Sequence, residues 1–224
     1  MLDFILNDST GKHILLLYEE PERAREIELQ FLKHGLELKE HCIFMIHVNQ
    51  PKNNHNYDDP GDHHRSHSLE CMEREMKDAG IDVDVYRELK QLRLFPVSNI
   101  IEKAGGLDNI DHIWKEIEEL DKDLFSQMEV PFRGVGVRLP VNKLQGEDRI
   151  NALAIQVDIE RKAQNEFGCG RFKGSWICPY RVDNLAESLE GEQSGVQLMS
   201  LIMHHHAVIY VPALKEPVVF RIPP

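Results

Sequence analysis

Apolar residues recur along this chain in two rhythms. His13–Tyr18 (HILLLY) is nearly all apolar, the pattern of a central strand covered on both faces. From Glu22 to Lys39 the rhythm changes. Ile27, Phe31, His34 and Leu38 recur at helical spacing, with Leu32 and Leu36 close by. Pro21 suits the first turn of this helix, and Glu19, Glu20 and Glu22 favour its positive end. Gly35 interrupts it at some cost in stability. A second apolar strand follows at Cys42–Val48 (CIFMIHV).

Asn49–Ser68 (NQPKNNHNYDDPGDHHRSHS) is polar, holds Pro51, Pro60 and Gly61, and reads as a long surface loop. A helix resumes near Ser66 and ends at Gly80, with Leu69, Met72 and Met76 as its stripe. Ile81–Tyr86 (IDVDVY) alternates and predicts a short strand. Pro96–Ala104 predicts a short helix closed by Gly105 and Gly106. Asp108–Gln127 is amphipathic through Ile110, Ile113, Trp114, Ile117, Leu120 and Leu124. Phe132–Leu139 predicts a strand with two glycines, Glu147–Phe167 a long helix, and Gly174–Arg181 (GSWICPYR) a further strand. Helices over Asn184–Glu190 and Val196–Met203, a buried strand at Ala207–Val211 and an edge strand at Pro217–Ile222 complete the series. Strands alternating with helices imply a three-layer α/β architecture, a mostly parallel sheet with helices on both faces. No convincing linker appears, so residues 1–224 are expected to form one domain, with 212–224 as an edge strand and tail.

Strand, turn, helix, strand is the opening of many nucleotide-binding α/β domains, but the turn lacks the chemistry. A phosphate loop needs glycines, a lysine and a free helix N-terminus. The turn here is Tyr18-Glu19-Glu20-Pro21-Glu22-Arg23-Ala24, with no glycine and three carboxylates. Sensing or binding is therefore expected rather than nucleotide hydrolysis. Ligands of such sheets sit beyond the carboxyl ends of the strands. That places Tyr18, Glu19, His47, Asn49, Tyr86, Arg87, Arg138, Tyr180 and Arg181 forward, with Tyr18, Glu19, His47, Asn49, Arg138, Tyr180 and Arg181 as the candidate ligand-binding set.

Several segments carry a family resemblance. HILLLYEEPERAREIELQFLKHGLELKEHCIFMIH is similar to the opening of the methanogen/methylotroph DcmR sensory domain, called MEDS, through His13, Tyr18, Glu19-Glu20, Gly35-Leu36 and Cys42. FRGVGV resembles the family's fourth-strand region, WICPYRVDNL its "C.YD…L" strand and turn, and LIMHHHAVIYV its closing "L…H..VI" element. Two departures stand out. Val137 follows Gly136 where relatives often carry a carboxylate, and the 49–68 loop is unusually rich in histidine. The resemblance implies a RecA/KaiC-like fold without its catalytic loops and a role in sensing small molecules. No kinase, receiver or helix-turn-helix segment is visible, so output is expected through a signalling partner or a homodimer.

Charge and cysteine usage narrow the partners. Lys+Arg number 26 against Asp+Glu 38, a net charge of −12, and no basic run offsets it. Direct nucleic-acid binding is not expected. No apolar run approaches a membrane span, and MLDFILNDSTGKH has no basic region ahead of a signal-like core, so a cytoplasmic location is expected. Cys42, Cys71, Cys169 and Cys178 lack paired spacing and are expected as free thiols.

No resident cofactor is expected, with one exception to weigh. His63, His67 and Cys71 are spaced i, i+4, i+8, and would share a helix face if the helix extends back that far. Imidazole and thiolate suit zinc, nickel or copper. A solvated loop with incidental histidines is the weightier reading. His204-His205-His206 cannot all face one metal, and capping a helix C-terminus suits them better. His13 and His47 read first as structural histidines, and Cys178 as a small buried apolar residue. Beside Arg181 at a pocket mouth, Cys178 would instead suit redox sensing. Arg133 and Arg138 suit either an anionic ligand or a salt bridge.

Overall fold

A computed structural model describes residues 11–46, 69–106, 109–120, 131–136, 147–169, 173–188 and 194–223. The elements run β1 Lys12–Tyr18, α1 Pro21–Glu37, β2 His41–Ile46, α2 Leu69–Asp78, α3 Val83–Glu88, β3 Leu92–Pro96 and α4 Val97–Ala104. They continue α5 Ile110–Leu120, β4 Phe132–Val135, α6 Glu147–Gly168, β5 Gly174–Arg181, α7 Val182–Ser188, α8 Ser194–Met203, β6 Ala207–Val211 and β7 Val218–Arg221. The strands form one seven-stranded sheet in the order β3-β2-β4-β5-β1-β6-β7. Its first six strands are parallel, and β7 pairs antiparallel with β6 at the edge. This is the expected mostly parallel α/β sheet with helices on both faces.

The alternation of side chains along β1 assigns the two faces. Ile14, Leu16 and Tyr18 pack with Ile27, Phe31 and Leu32 of α1, Met72 and Met76 of α2, and Val83 of α3. Leu15 and Leu17 point the other way, to Val157 of α6, Leu185 of α7 and Leu201 of α8. The all-apolar run of β1 therefore reflects a strand flanked by β5 and β6 and covered twice. Ile100, Ala104 and Ile113 form a separate cluster between α4 and α5.

Two glycines permit close approaches. A Cβ on Gly35 would lie 2.7 Å from Cδ of Arg133 and 2.9 Å from the Cys42 sulfur. The missing side chain lets α1 settle over β2 and β4, which offsets the helix cost noted above. A Cβ on Gly134 would lie 1.9 Å from the Trp176 ring, so the indole of β5 occupies the space that a side chain on its β4 neighbour would fill.

Two expectations are corrected. Ile81–Tyr86 is not a strand, because Val83–Glu88 is helical. Asp82 caps that helix by accepting the Val85 amide at 3.2 Å, so a residue that looked like a polar strand position is a helix N-cap. The strand in this region is Leu92–Pro96, which pairs with β2 in the register Cys42↔Leu92. Consequently Tyr86 and Arg87 lie on a helix and not at a strand end. Phe132–Leu139 is strand only over Phe132–Val135 among the described residues, and 137–140 lie outside them. No described helix is long and apolar enough to cross a membrane.

Candidate functional site

The turn after β1 is tied down by its own carboxylate. Glu19 accepts the hydroxyl proton of Tyr210 on β6 through one oxygen and the amide of Ala213 through the other, the latter at 2.7 Å. The Glu19 amide donates to the Val211 carbonyl at 3.1 Å. Arg23, in the first turn of α1, donates to the Pro212 carbonyl. The segment where a phosphate loop would open toward its anion is thus bonded to the β6–β7 connection. The hydroxyl of Tyr210 and the Ala213 amide hold the Glu19 carboxyl below the usual range.

The candidate ligand-binding residues are placed as follows. Tyr18 is 1% exposed, packed in the core below α1. Glu19 closes the turn just described. Arg181 lies at the end of β5 opposite Tyr18 and pairs with Asp183 at 3.1 Å. Tyr180 turns inward, and its hydroxyl donates to Glu160 of α6. His47, Asn49 and Arg138 lie outside the described residues, as do His63 and His67. Cys71 is half-buried on α2. Arg133, weighed above as an anion receiver, is buried and paired with Glu40, its guanidinium 5.0 Å over the Phe31 ring. The salt-bridge reading is the one the geometry carries for it.

A second constellation lies deeper, on the sheet face below α6. His13 of β1, Glu160 of α6, Cys178 of β5 and His205 of the α8–β6 junction are all buried, and one ligand-type atom from each lies within 4.8 Å of all the others. His13 Nε2 is 2.9 Å from Glu160 Oε2 and 3.3 Å from Cys178 Sγ. His205 Nε2 is 3.5 Å from the same carboxylate oxygen. The two imidazoles stack with centroids 4.1 Å apart, and Phe167 flanks His13 at 5.5 Å.

The far side of each ring fixes its tautomer. His13 Nδ1 donates to the His204 carbonyl at 2.7 Å, and His205 Nδ1 donates to the Leu201 carbonyl at 2.7 Å. Backbone carbonyls accept only, so both Nδ1 atoms carry hydrogen. Both Nε2 atoms then face the carboxylate and the thiol. His205 Nε2 and Glu160 Oε2 are buried with no hydrogen-bond partner. The 2.9 Å approach of His13 Nε2 to Glu160 Oε2 lacks the angles of a hydrogen bond.

The neighbouring histidines do different work, as their divergent directions anticipated. His206 Nδ1 accepts the His13 amide at 3.0 Å. Its Nε2 must then carry the hydrogen, and Gln164 meets it at 3.3 Å while the Gln164 oxygen has no partner. Exchanging the amide oxygen and nitrogen of Gln164 satisfies both groups.

Burial dominates the electrostatics. It alone would push the Glu160 carboxyl up, but His13 and His205 outweigh it and hold the group well below the usual range. His205 is pushed down to about 4 by burial and by the proximity of His13, against the pull of Glu160. Burial, with Glu160 adding to it, raises both the Cys178 thiol and the Tyr180 hydroxyl. The Cys178 environment thus favours the thiol in the absence of a cation, unlike the exposed, basic setting that redox sensing would need.

Sequence reasoning singled out three of these four residues and missed Glu160. The signal was present. Gln156, Val157, Glu160, Ala163, Gln164 and Phe167 recur at helical spacing on the inner face of α6. An acid in such a stripe is rarely buried without a partner, so it points to an opposing group.

Comparison with known proteins places the chain. The family model of the MEthanogen/methylotroph, DcmR Sensory domain (MEDS) matches residues 12–190. Among solved structures, a KaiC-like protein from the hyperthermophilic archaeon Pyrococcus horikoshii OT3 is similar, with a TM-score of 0.57 and 14% identity over 94% of this chain and 79% of that one. At that identity the likeness concerns the fold alone. No curated protein sequence matches the chain.

Proposed function

The chain belongs to the MEDS sensory-domain family, and on that premise we propose that it is a non-catalytic sensory module on a KaiC-like scaffold. It binds a small molecule at the carboxyl ends of the strands and signals through a partner protein or a homodimer. The observation that carries the reading is the closed turn after β1. Glu19 and Arg23 bond it to Tyr210, Pro212 and Ala213, where hydrolysis would need an open, glycine-lined cradle. Arg181, at the end of β5 and paired with Asp183, is the cation we assign to an anionic or polar ligand. Ligand binding would shift the population of a loop or dimer arrangement, and a differential affinity between the two states is what drives that shift.

A native mass spectrum set beside a denatured one tests this. The expected result is an organic adduct that disappears on denaturation and is lost in Arg181→Ala. Turnover of Mg-ATP by the purified chain would replace the reading with an enzyme on the same scaffold.

A further inference from the structure

We propose that His13, Glu160, Cys178 and His205 form a closed, four-coordinate zinc site that ties β1, α6, β5 and the α8–β6 junction together. The inference goes beyond the sensory reading and does not rest on it. It begins from two buried atoms that lack partners. His205 Nε2 presents a lone pair, because its Nδ1 hydrogen is committed to the Leu201 carbonyl. Glu160 Oε2, 3.5 Å away, also presents lone pairs, and neither atom has a hydrogen-bond donor. Two acceptors facing each other in a buried space require something positive between them.

A proton shared by Glu160 Oε2 and His205 Nε2 would have to span 3.5 Å, longer than a normal hydrogen bond. A hydrogen on His13 Nε2 lacks the angles to serve Glu160 and leaves His205 Nε2 bare. A hydrogen on Cys178 directed to His13 would leave both Glu160 Oε2 and His205 Nε2 bare. One divalent cation answers all four atoms at once. Bonds of roughly 2.0–2.3 Å in a tetrahedron set ligand atoms about 3.3–3.7 Å apart. The observed separations of 2.9, 3.3 and 3.5 Å lie around that range.

The surroundings match a metal site. Metal-bound imidazoles usually give their other N–H to a carbonyl or carboxylate, and both rings here give Nδ1–H to backbone carbonyls. The Tyr180 hydroxyl donates to the other carboxylate oxygen, Oε1, which leaves Oε2 for the ion. Ionised Glu160 and the thiolate of Cys178 balance the charge of a divalent cation, and binding releases the thiol proton. Two imidazoles, a thiolate and a carboxylate suit zinc, and four protein ligands leave no open position, the mark of a structural ion.

The test uses the full chain, stripped by chelation and titrated with cobalt(II), whose spectrum reports geometry and sulfur ligation. The expected result is one ion per chain, with the intensity of a tetrahedral site and a thiolate charge-transfer band, displaced by zinc. Cys178→Ser removes that band. Tyr180→Phe, which leaves all four ligands in place, weakens zinc binding by about 10–100-fold. The triple change His63→Ala, His67→Ala, Cys71→Ser leaves the spectrum intact. No uptake, an octahedral oxygen-only spectrum, or a band lost in the triple variant overturns the proposal. Should the C178S chain fail to fold, the triple variant still decides between this cluster and the loop.

Discussion

Glu19 is the residue on which the reading of the turn depends, and it carries a pH signature. Its folded carboxyl lies below the ordinary value of 4.5 because Tyr210 and the Ala213 amide bind the ionised form. A depressed carboxyl contributes stability above the unfolded value, lost as pH falls from there through the folded one. Urea unfolding of wild type and Glu19→Gln should therefore differ at neutral pH and converge below pH 4.5. A constant difference across that window would mean that Glu19 does not act through its charge. Gly134 offers a steric test. Gly134→Ala drives a methyl against Trp176 and should cost about 1–3 kcal/mol, the range for overpacking. Combining it with Trp176→Leu should recover part of the loss.

At this scale the sequence showed residue types better than it showed convergence. His13 was visible as a structural histidine and Cys178 as a buried thiol, and His205 only as one of three histidines at a helix C-terminus. What brings them together is the parallel register of β1 with β5 and β6, pairings between residues far apart in the chain. Glu160 was hidden differently. Its helix reads as a stripe of apolar residues, and one acid within such a stripe signals an opposing group without naming it.

Among the elements, β1, α1 and the strands from β4 onward were legible because long or strongly patterned segments leave one period dominant. The region between α2 and α4 was not. IDVDVY alternates, yet six residues fit a capped helical turn equally well, and Asp82 serves as the cap. Leu92–Pro96 was hidden because its proline reads as the start of the helix that follows, although Pro96 is the last residue of the strand. Asp82→Ala should cost about 1 kcal/mol in thermal or urea unfolding, the usual weight of an N-cap. A larger test concerns the ion pair that joins the end of α1 to the sheet. Glu40 and Arg133 are both buried, and removing one leaves the other uncompensated. Arg133→Met should destabilise by about 3–5 kcal/mol, and adding Glu40→Leu should restore much of that. Equal losses in the single and double variants would show that packing on Phe31, not charge, is what Arg133 supplies.

In the molecule as a whole, scaffold and chemistry are separable. A KaiC-like sheet is present, the family is a sensory one, and the turn that would cradle phosphate is bonded shut by protein groups. The most direct test is calorimetric titration of the full chain with Mg-ATP at millimolar concentration, with phosphate release followed in the same sample. The expected result is no saturable heat and no phosphate above the blank. Saturable, magnesium-dependent binding that strengthens in Glu19→Ala, where the turn is freed from the β6–β7 connection, would contradict it and return the chain to the nucleotide-binding proteins.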